Sequence, residues 1–331
     1  MQAQVLEHPR ADGPPPLETN DRPDMQPGVD ELLLEVDACA SCRTDLQIVR
    51  GDLPARRLPI IPGHQVVGRV VAVGERVSDW SVGERAGAFW LASSCGECAS
   101  CRAGRENLCP EARFTGWDVD GGYAQALLVR ADFALRLPDG EPLALAPLLC
   151  GGVIGYRALR RSGIQPGGRL GLYGFGASAS LAIQVARHWG CEVYVATRSP
   201  ADGERAIELG ATWAGDSTGK PPVKLDAAVT FAPVGSVVIA ALQALGRGGT
   251  VAINAIHLDG IPAFDYDDLW WERSITSVAN VTRADAREFL ALAAEIGIAT
   301  NPHAYPLDRA GDALADLEAG VIGAGAAVLL P

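Results

Sequence analysis

Residues 95–109 read CGECASCRAGRENLC and hold four of the eight cysteines of the chain: Cys95, Cys98, Cys101 and Cys109. The spacing is C-x2-C-x2-C-x7-C. Four thiolates close a tetrahedron around one zinc ion, each sulfur about 2.3 Å from the metal, and the short gaps let a turn of backbone present neighbouring sulfurs to the same ion. A site with four protein ligands has no open position, so its expected role is to hold the fold. Unrelated or disulfide-bonded cysteines and an iron–sulfur cluster are the alternatives that the spacing leaves open. Three further residues are scattered: Cys42 in CASCRTDLQ, His64 in PGHQVVG and Cys150 in PLLCGGVIGY. Each alone reads as a core or turn residue. Together they supply two thiolates and an imidazole, which is the ligand set of a catalytic zinc whose fourth position takes water or substrate.

A second chemistry is written in LYGFGASA, where Gly174-x-Gly176-x-x-Ala179 follows an apolar strand pattern and opens a helical one. Glycines there permit a tight turn and let a pyrophosphate approach a helix N-terminus. A plain glycine-rich turn is the alternative; the strand–helix context favours the nucleotide. Enzymes that use NAD commonly place Asp or Glu at the end of the next strand. Here that strand, EVYVATRSP, ends in Thr197, Arg198 and Ser199. A guanidinium and two hydroxyls suit a 2′-phosphate, so NADP(H) is the expected cofactor, with NAD(H) as the alternative.

Elements must position these groups. The 331 residues are 48% hydrophobic and 21% charged, enough for two ordinary domains. The net charge of −12 argues against a nucleic-acid partner. No run of about 18 apolar residues is evident, and the first residues lack a basic segment followed by an apolar one. No membrane association is therefore expected, and a cytoplasmic location follows by default. Residues 1–145 are rich in Val, Gly and Pro and read as a mostly β domain, with ELLLEVDACA and HQVVGRVVAVGERV as strands. From Arg169 strands and helices alternate, which implies a parallel sheet covered on both faces. Two helical stretches and a closing strand, GAAVLL, follow residue 283.

Taken together, these segments resemble the zinc-dependent medium-chain alcohol dehydrogenases. GDLP, PIIPGH, VGERV, DGGYAQ, GYRAL and YGFGASA carry the resemblance over nearly the full length. FTGWDVDGGYA and SVANVTR make it closest to the bacterial branch related to cinnamyl alcohol dehydrogenase. The resemblance implies an α/β protein: a GroES-like β catalytic domain at 1–151, to which 280–331 returns, and a Rossmann doubly wound parallel sheet at 152–279. It implies two zinc ions per chain, a catalytic one on Cys42, His64 and Cys150 and a structural one on Cys95, Cys98, Cys101 and Cys109. Asp45 would orient His64, Thr44 would take the alcohol proton, and Trp90 and Trp117 would line the substrate pocket. The expected reaction is hydride transfer between a primary alcohol or aldehyde, aromatic ones included, and the nicotinamide cofactor. A polyol dehydrogenase or another zinc-dependent carbonyl reductase on the same scaffold is the runner-up, and a non-enzymatic zinc-ribbon module the remote one. The family suggests a homodimer or homotetramer. Two positions depart from the pattern. Gln65 stands where many members have Glu, and Gln47 where many have a proton-relaying His; Gln cannot titrate. The expectation is an active enzyme with an altered pH profile, its proton leaving through the cofactor ribose and water. Cys39 and Cys191 match no ligand position and read as small apolar residues.

Overall fold

Alternation of side chains decides the first sheet. Along the strand Glu31–Ala40, Leu32, Leu34, Val36 and Ala38 point inward and are buried, as a half-buried strand requires. This strand pairs antiparallel with Gln65–Val73 and with Ala126–Arg130. Gly68 lies opposite Val36, where an added Cβ would run into the Glu35 carbonyl, so only glycine lets the strands close. The computed structural model describes residues 1–331. Its chain divides into two compact units, Met1–Cys150 with Asn280–Ala294 and Ala299–Pro331, and Gly151–Ala279 with Glu295–Ile298.

The first unit is built on a seven-stranded sheet. Across it run Pro302–Pro306, Ala326–Leu330, Glu31–Ala40, Gln65–Val73, Arg85–Ala88 and Leu135–Arg136, with Ala126–Arg130 beside Glu31–Ala40. One helix that the sequence reading passed over, Arg43–Arg50, follows the central strand at once. It is stopped by Gly51 in the left-handed region (φ 85°), whose N–H bonds the Ile48 carbonyl. The returning segment is tied to the cysteine loop by an ion pair. Arg283 donates from its backbone N–H to Glu106 Oε1 (2.7 Å) and from its guanidinium to both carboxylate oxygens, the closest at 2.7 Å. The same guanidinium lies over the Phe133 ring at 4.2 Å.

The second unit is a six-stranded, wholly parallel sheet in the order Trp213–Gly215, Glu192–Ala196, Arg169–Tyr173, Leu225–Thr230, Leu245–Ile253, Ser274–Ser277. The chain winds outward one way from Arg169–Tyr173 and then the other way from Leu225–Thr230. That reversal opens a crevice at the carboxyl ends of these two strands. Helices Ala177–His188, Pro200–Glu208 and Gly235–Ala244 make the crossovers. Leu170, Leu172, Val193, Val195, Ala227 and Val229 are fully buried, the near-continuous apolar content of strands covered on both faces. The helical stretch Pro142–Ser162 is long and apolar enough by length and composition to cross a membrane, which the sequence reading missed. Within its most apolar window 61% is buried inside the protein, as for a core helix.

Burial works against the charge on Glu106, yet Arg283 outweighs it and holds the carboxyl below its ordinary value. A depressed carboxyl stabilises the fold above its unfolded pKa, and that contribution is lost as pH falls through the folded value. Glu106→Gln is therefore expected to cost about 1–3 kcal/mol at neutral pH. Its unfolding midpoint should converge on the wild-type midpoint in acid, as thermal melts across pH would show.

Candidate active site

Cys42 is the N-cap of the helix Arg43–Arg50. Its sulfur accepts from the Thr44 N–H at 3.3 Å, and its own N–H donates to Asp45 Oδ2 at 2.9 Å, a reciprocal box closed by a cysteine. The other carboxylate oxygen of Asp45 accepts from Gly63 N–H (3.2 Å) and lies 3.0 Å from His64 Nδ1. A carboxylate only accepts, so Nδ1 carries a proton towards Asp45 and Nε2 is the nitrogen left to face a metal. Nε2 faces the Cys42 sulfur at 3.4 Å. Gly63 is held at φ 94°, and an added Cβ would come within 2.8 Å of Cys39 Sγ and collide with the Tyr123 ring. Glycine at position 63 is thus required by both conformation and space. Cys39, fully buried, packs there without joining the ligand atoms.

The ligand atoms of Cys42, His64 and Cys150 all lie within 4.8 Å of one another, and so do those of Cys95, Cys98, Cys101 and Cys109. Tetrahedral zinc with bonds of about 2.3 Å sets its sulfurs about 3.8 Å apart. Separations of 3.5 Å for Cys109–Cys95 and 4.0 Å for Cys95–Cys101 fit that ion. Both donor sets therefore suit zinc, one closed and one with three protein ligands. His64 is buried and the two cysteines half-buried, and the three groups shift one another. A hydrogen bond with Cys150 draws the Cys42 thiol well below its ordinary value against the effect of burial, while the same bond and burial push Cys150 well up. Burial disfavours the His64 cation, but Asp45 and Cys42 outweigh it and raise its pKa; burial raises Asp45.

Around His64 the wall is aromatic. Trp90 meets its ring edge-on (centroids 4.9 Å, 72°) and stacks on Phe114 at 5.0 Å and Trp117 at 5.8 Å. Trp90 is 7% exposed; Trp117 is half-buried, its N–H on the Pro54 carbonyl and the Arg56 guanidinium 3.8 Å above its ring. Thr44 is buried in the first turn of the helix, with Gln47 half-buried on its next turn. Gln65 donates to the Ala40 carbonyl across the strand pair at 3.1 Å. Three contributors were not foreseen. Asn280 accepts from the Trp90 indole at 2.9 Å, Arg56 covers Trp117, and the Tyr123 hydroxyl donates to Ser41 at 2.5 Å beside Cys42. SVANVTR drew notice only as a family motif, and no local pattern marks its Asn as a partner of Trp90.

In the second unit, Gly174 ends the strand Arg169–Tyr173 at φ 87°, where a Cβ would sit 2.8 Å from Ala232 N. Gly176, itself exposed, caps the helix Ala177–His188 with no side-chain bond to the first-turn N–H groups, and a Cβ there would meet nothing within 4 Å. Ala179 is fully buried. Backbone donors beside open space are what a pyrophosphate takes. Thr197 Oγ accepts from Ser199 N–H and Ser199 Oγ from Asp202 N–H, leaving both hydroxyl protons free to donate. Arg198 is exposed.

The site and sheet define a metal-dependent nucleotide-linked oxidoreductase, and comparison with known proteins sharpens this. Residues 28–139 match the alcohol dehydrogenase GroES-like domain, and residues 177–295 the zinc-binding dehydrogenase domain. The alcohol dehydrogenase AdhA of Mycobacterium tuberculosis is 52% identical over 312 residues, covering 92% of this chain and 90% of that protein. A cinnamyl alcohol dehydrogenase from Sorghum bicolor superposes with a TM-score of 0.90 at 25% identity, over 99% of this chain and 96% of its own. A zinc-binding dehydrogenase from Sinorhizobium meliloti, solved with NADP, superposes with a TM-score of 0.88 at 26% identity, over 100% and 99%. The chain belongs to the zinc-dependent medium-chain alcohol dehydrogenase family, and so is a zinc-dependent alcohol dehydrogenase that works with a nicotinamide cofactor.

The two glycines make different demands. Gly174→Ala forces a left-handed Cβ against Ala232 and is expected to lower stability by about 1–2 kcal/mol. Gly176→Ala should leave the melting midpoint nearly unchanged and raise the cofactor dissociation constant about tenfold, a loss of about 1.4 kcal/mol in binding. Thermal melts and nucleotide fluorescence titration separate the two.

Proposed function

We propose that this enzyme interconverts primary alcohols and aldehydes, aromatic ones included, with NADP(H), and holds two zinc ions per chain. Cys42, His64 and Cys150 would hold the catalytic ion, and Cys95, Cys98, Cys101 and Cys109 the structural one. The observation that carries the reading is the convergence of two sulfurs and an imidazole nitrogen within 4.8 Å beside the Trp90 indole. When bound, zinc supplies a Lewis acid for the substrate oxygen and the nicotinamide supplies or accepts the hydride. The chain's own residues do the rest. Asp45 locks His64 as the tautomer that presents Nε2. Thr44, beside Cys42, passes on the alcohol proton. Gln47 does not titrate, so the relay reaches water without an imidazole. Trp90 and Trp117 would meet an aryl or alkyl group with the apolar parts of their rings that Phe114 and Arg56 leave uncovered, and exclude water.

NADP(H) is supported by the strand end Thr197-Arg198-Ser199, by the exposed guanidinium and two donating hydroxyls, and by the NADP in the Sinorhizobium relative.

Three measurements test this. A panel of aliphatic and aromatic alcohols and aldehydes run with both cofactors should show turnover with NADPH preferred. Arg198→Ala should raise the KM for NADPH about 10–100-fold, the loss of about 1.5–3 kcal/mol of charge-assisted bonding, and leave NADH nearly unaffected. An NAD preference that survives Arg198→Ala defeats the assignment. Zinc analysis should give two ions per chain, and Cys150→Ser one, with loss of turnover and a folded protein. Gln47→His should alter the pH dependence of alcohol oxidation; an unchanged profile would count against the relay.

A further inference from the structure

Asn280 sits at φ 53°, in the left-handed region that Asn tolerates better than most residues. Its side-chain amide is used at both ends. Oδ1 accepts from Trp90 Nε1 at 2.9 Å, and Nδ2 donates to the Asn107 carbonyl at 3.4 Å. Neither end can be exchanged. The indole only donates and the carbonyl only accepts, so chemistry fixes the amide orientation. Asn107 belongs to the turn Glu106–Leu108 inside the four-cysteine loop, and Arg283, three residues beyond Asn280, grips Glu106 in the same turn. Asn280 is thereby anchored on the metal-binding loop. Trp90, which it holds, is 7% exposed and lies edge-on to His64. A buried indole N–H without an acceptor costs free energy, so the ring would turn to find another partner.

We propose that Asn280 is a positioning residue: its amide fixes the Trp90 indole against His64 and so sets the shape of the alcohol pocket for bulky substrates. This rests on the reading above that Trp90 lines that pocket. Asn280 touches neither substrate nor cofactor in this account; it acts through one ring. A small aldehyde does not need the wall in one place, whereas an aryl group stacked on it does.

The test is a double-mutant cycle on the zinc-loaded full chain. Steady-state kinetics with propanal and benzaldehyde are measured for wild type, Asn280→Gly, Trp90→Phe and the double variant. Glycine keeps the left-handed backbone without strain and removes both amide contacts. The benzaldehyde-to-propanal KM ratio is expected to rise about five- to tenfold in Asn280→Gly, the worth of one buried hydrogen bond, with kcat for propanal within about twofold. In the Trp90→Phe background, which lacks the indole N–H, the same change should move the ratio by less than about twofold. Asn280→Asp keeps an acceptor for the indole but loses the donor to the Asn107 carbonyl, and is expected to shift the ratio less than glycine does, with zinc content unchanged. An unmoved ratio in Asn280→Gly, an equal shift in the Trp90→Phe background, or an Asn280→Asp shift as large as that of glycine overturns the inference. So does a fall in kcat for both aldehydes alike, which marks a merely structural role. If Asn280→Gly does not fold, Asn280→Ala, which also lacks both amide contacts, reads the same bond and must raise the ratio about as much; an unchanged ratio there overturns the inference. A wild-type protein that turns over neither aldehyde with either cofactor overturns the functional reading itself, an outcome distinct from all of these.

Discussion

The carboxylate of Asp45 is wholly buried and takes three partners: the Cys42 N–H, the Gly63 N–H and the His64 ring. A buried carboxylate with fewer donors would be expelled or neutralised. With these it locks the start of a helix to the start of a strand that lies some twenty residues away. The same oxygen that supports Gly63 decides which nitrogen of His64 is free. Cys42 and His64 converge because each is bound to this one group, and Cys150 then completes the set. The protein's own hydrogen-bond network therefore supports the ligand geometry, and such support would lower the reorganisation that binding a metal requires.

Glycines do in the backbone what Asp45 does in the side chains. Gly63 lets the chain pass between Cys39 and Tyr123, and Gly174 turns it under Ala232. At Gly176 the missing side chain serves a different end, since the space it leaves is open. Two of these positions are dictated by the fold, and at the third the packing makes no demand. That contrast separates a glycine that packing requires from one whose open space a ligand could use.

The clustering of the cysteines at 95–109 and the strand–turn–helix around G-x-G-x-x-A could be read because their signals are local: short spacings, a strand pattern before and a helix pattern after. The parallel sheet was legible from the alternation that follows Arg169. The helix Arg43–Arg50 was hidden because its cap is Cys42, a residue that does not announce a helix start as Ser or Asp does. Asn280 was hidden because its partner Trp90 is 190 residues away and the contact has no period or spacing. Tyr123 and Ser41 meet across 82 residues for the same reason. What a single sequence conceals here is long-range side-chain pairing, which depends on tertiary packing that no window can see.

The cysteine loop makes sense in these terms. Of residues 95–109 only Glu106, Asn107 and Cys109 are buried, and two of those are polar. A segment with so little apolar surface to hide cannot pay its ordering entropy by burial. Four thiolates on one ion can supply that order instead. Once rigid, the loop offers a carboxylate and a carbonyl in fixed places, and the returning segment takes both, through Arg283 on Glu106 and Asn280 on Asn107. A metal that never meets substrate would in this way still bear on Trp90, because the residue holding that ring stands on the loop that such a metal would order.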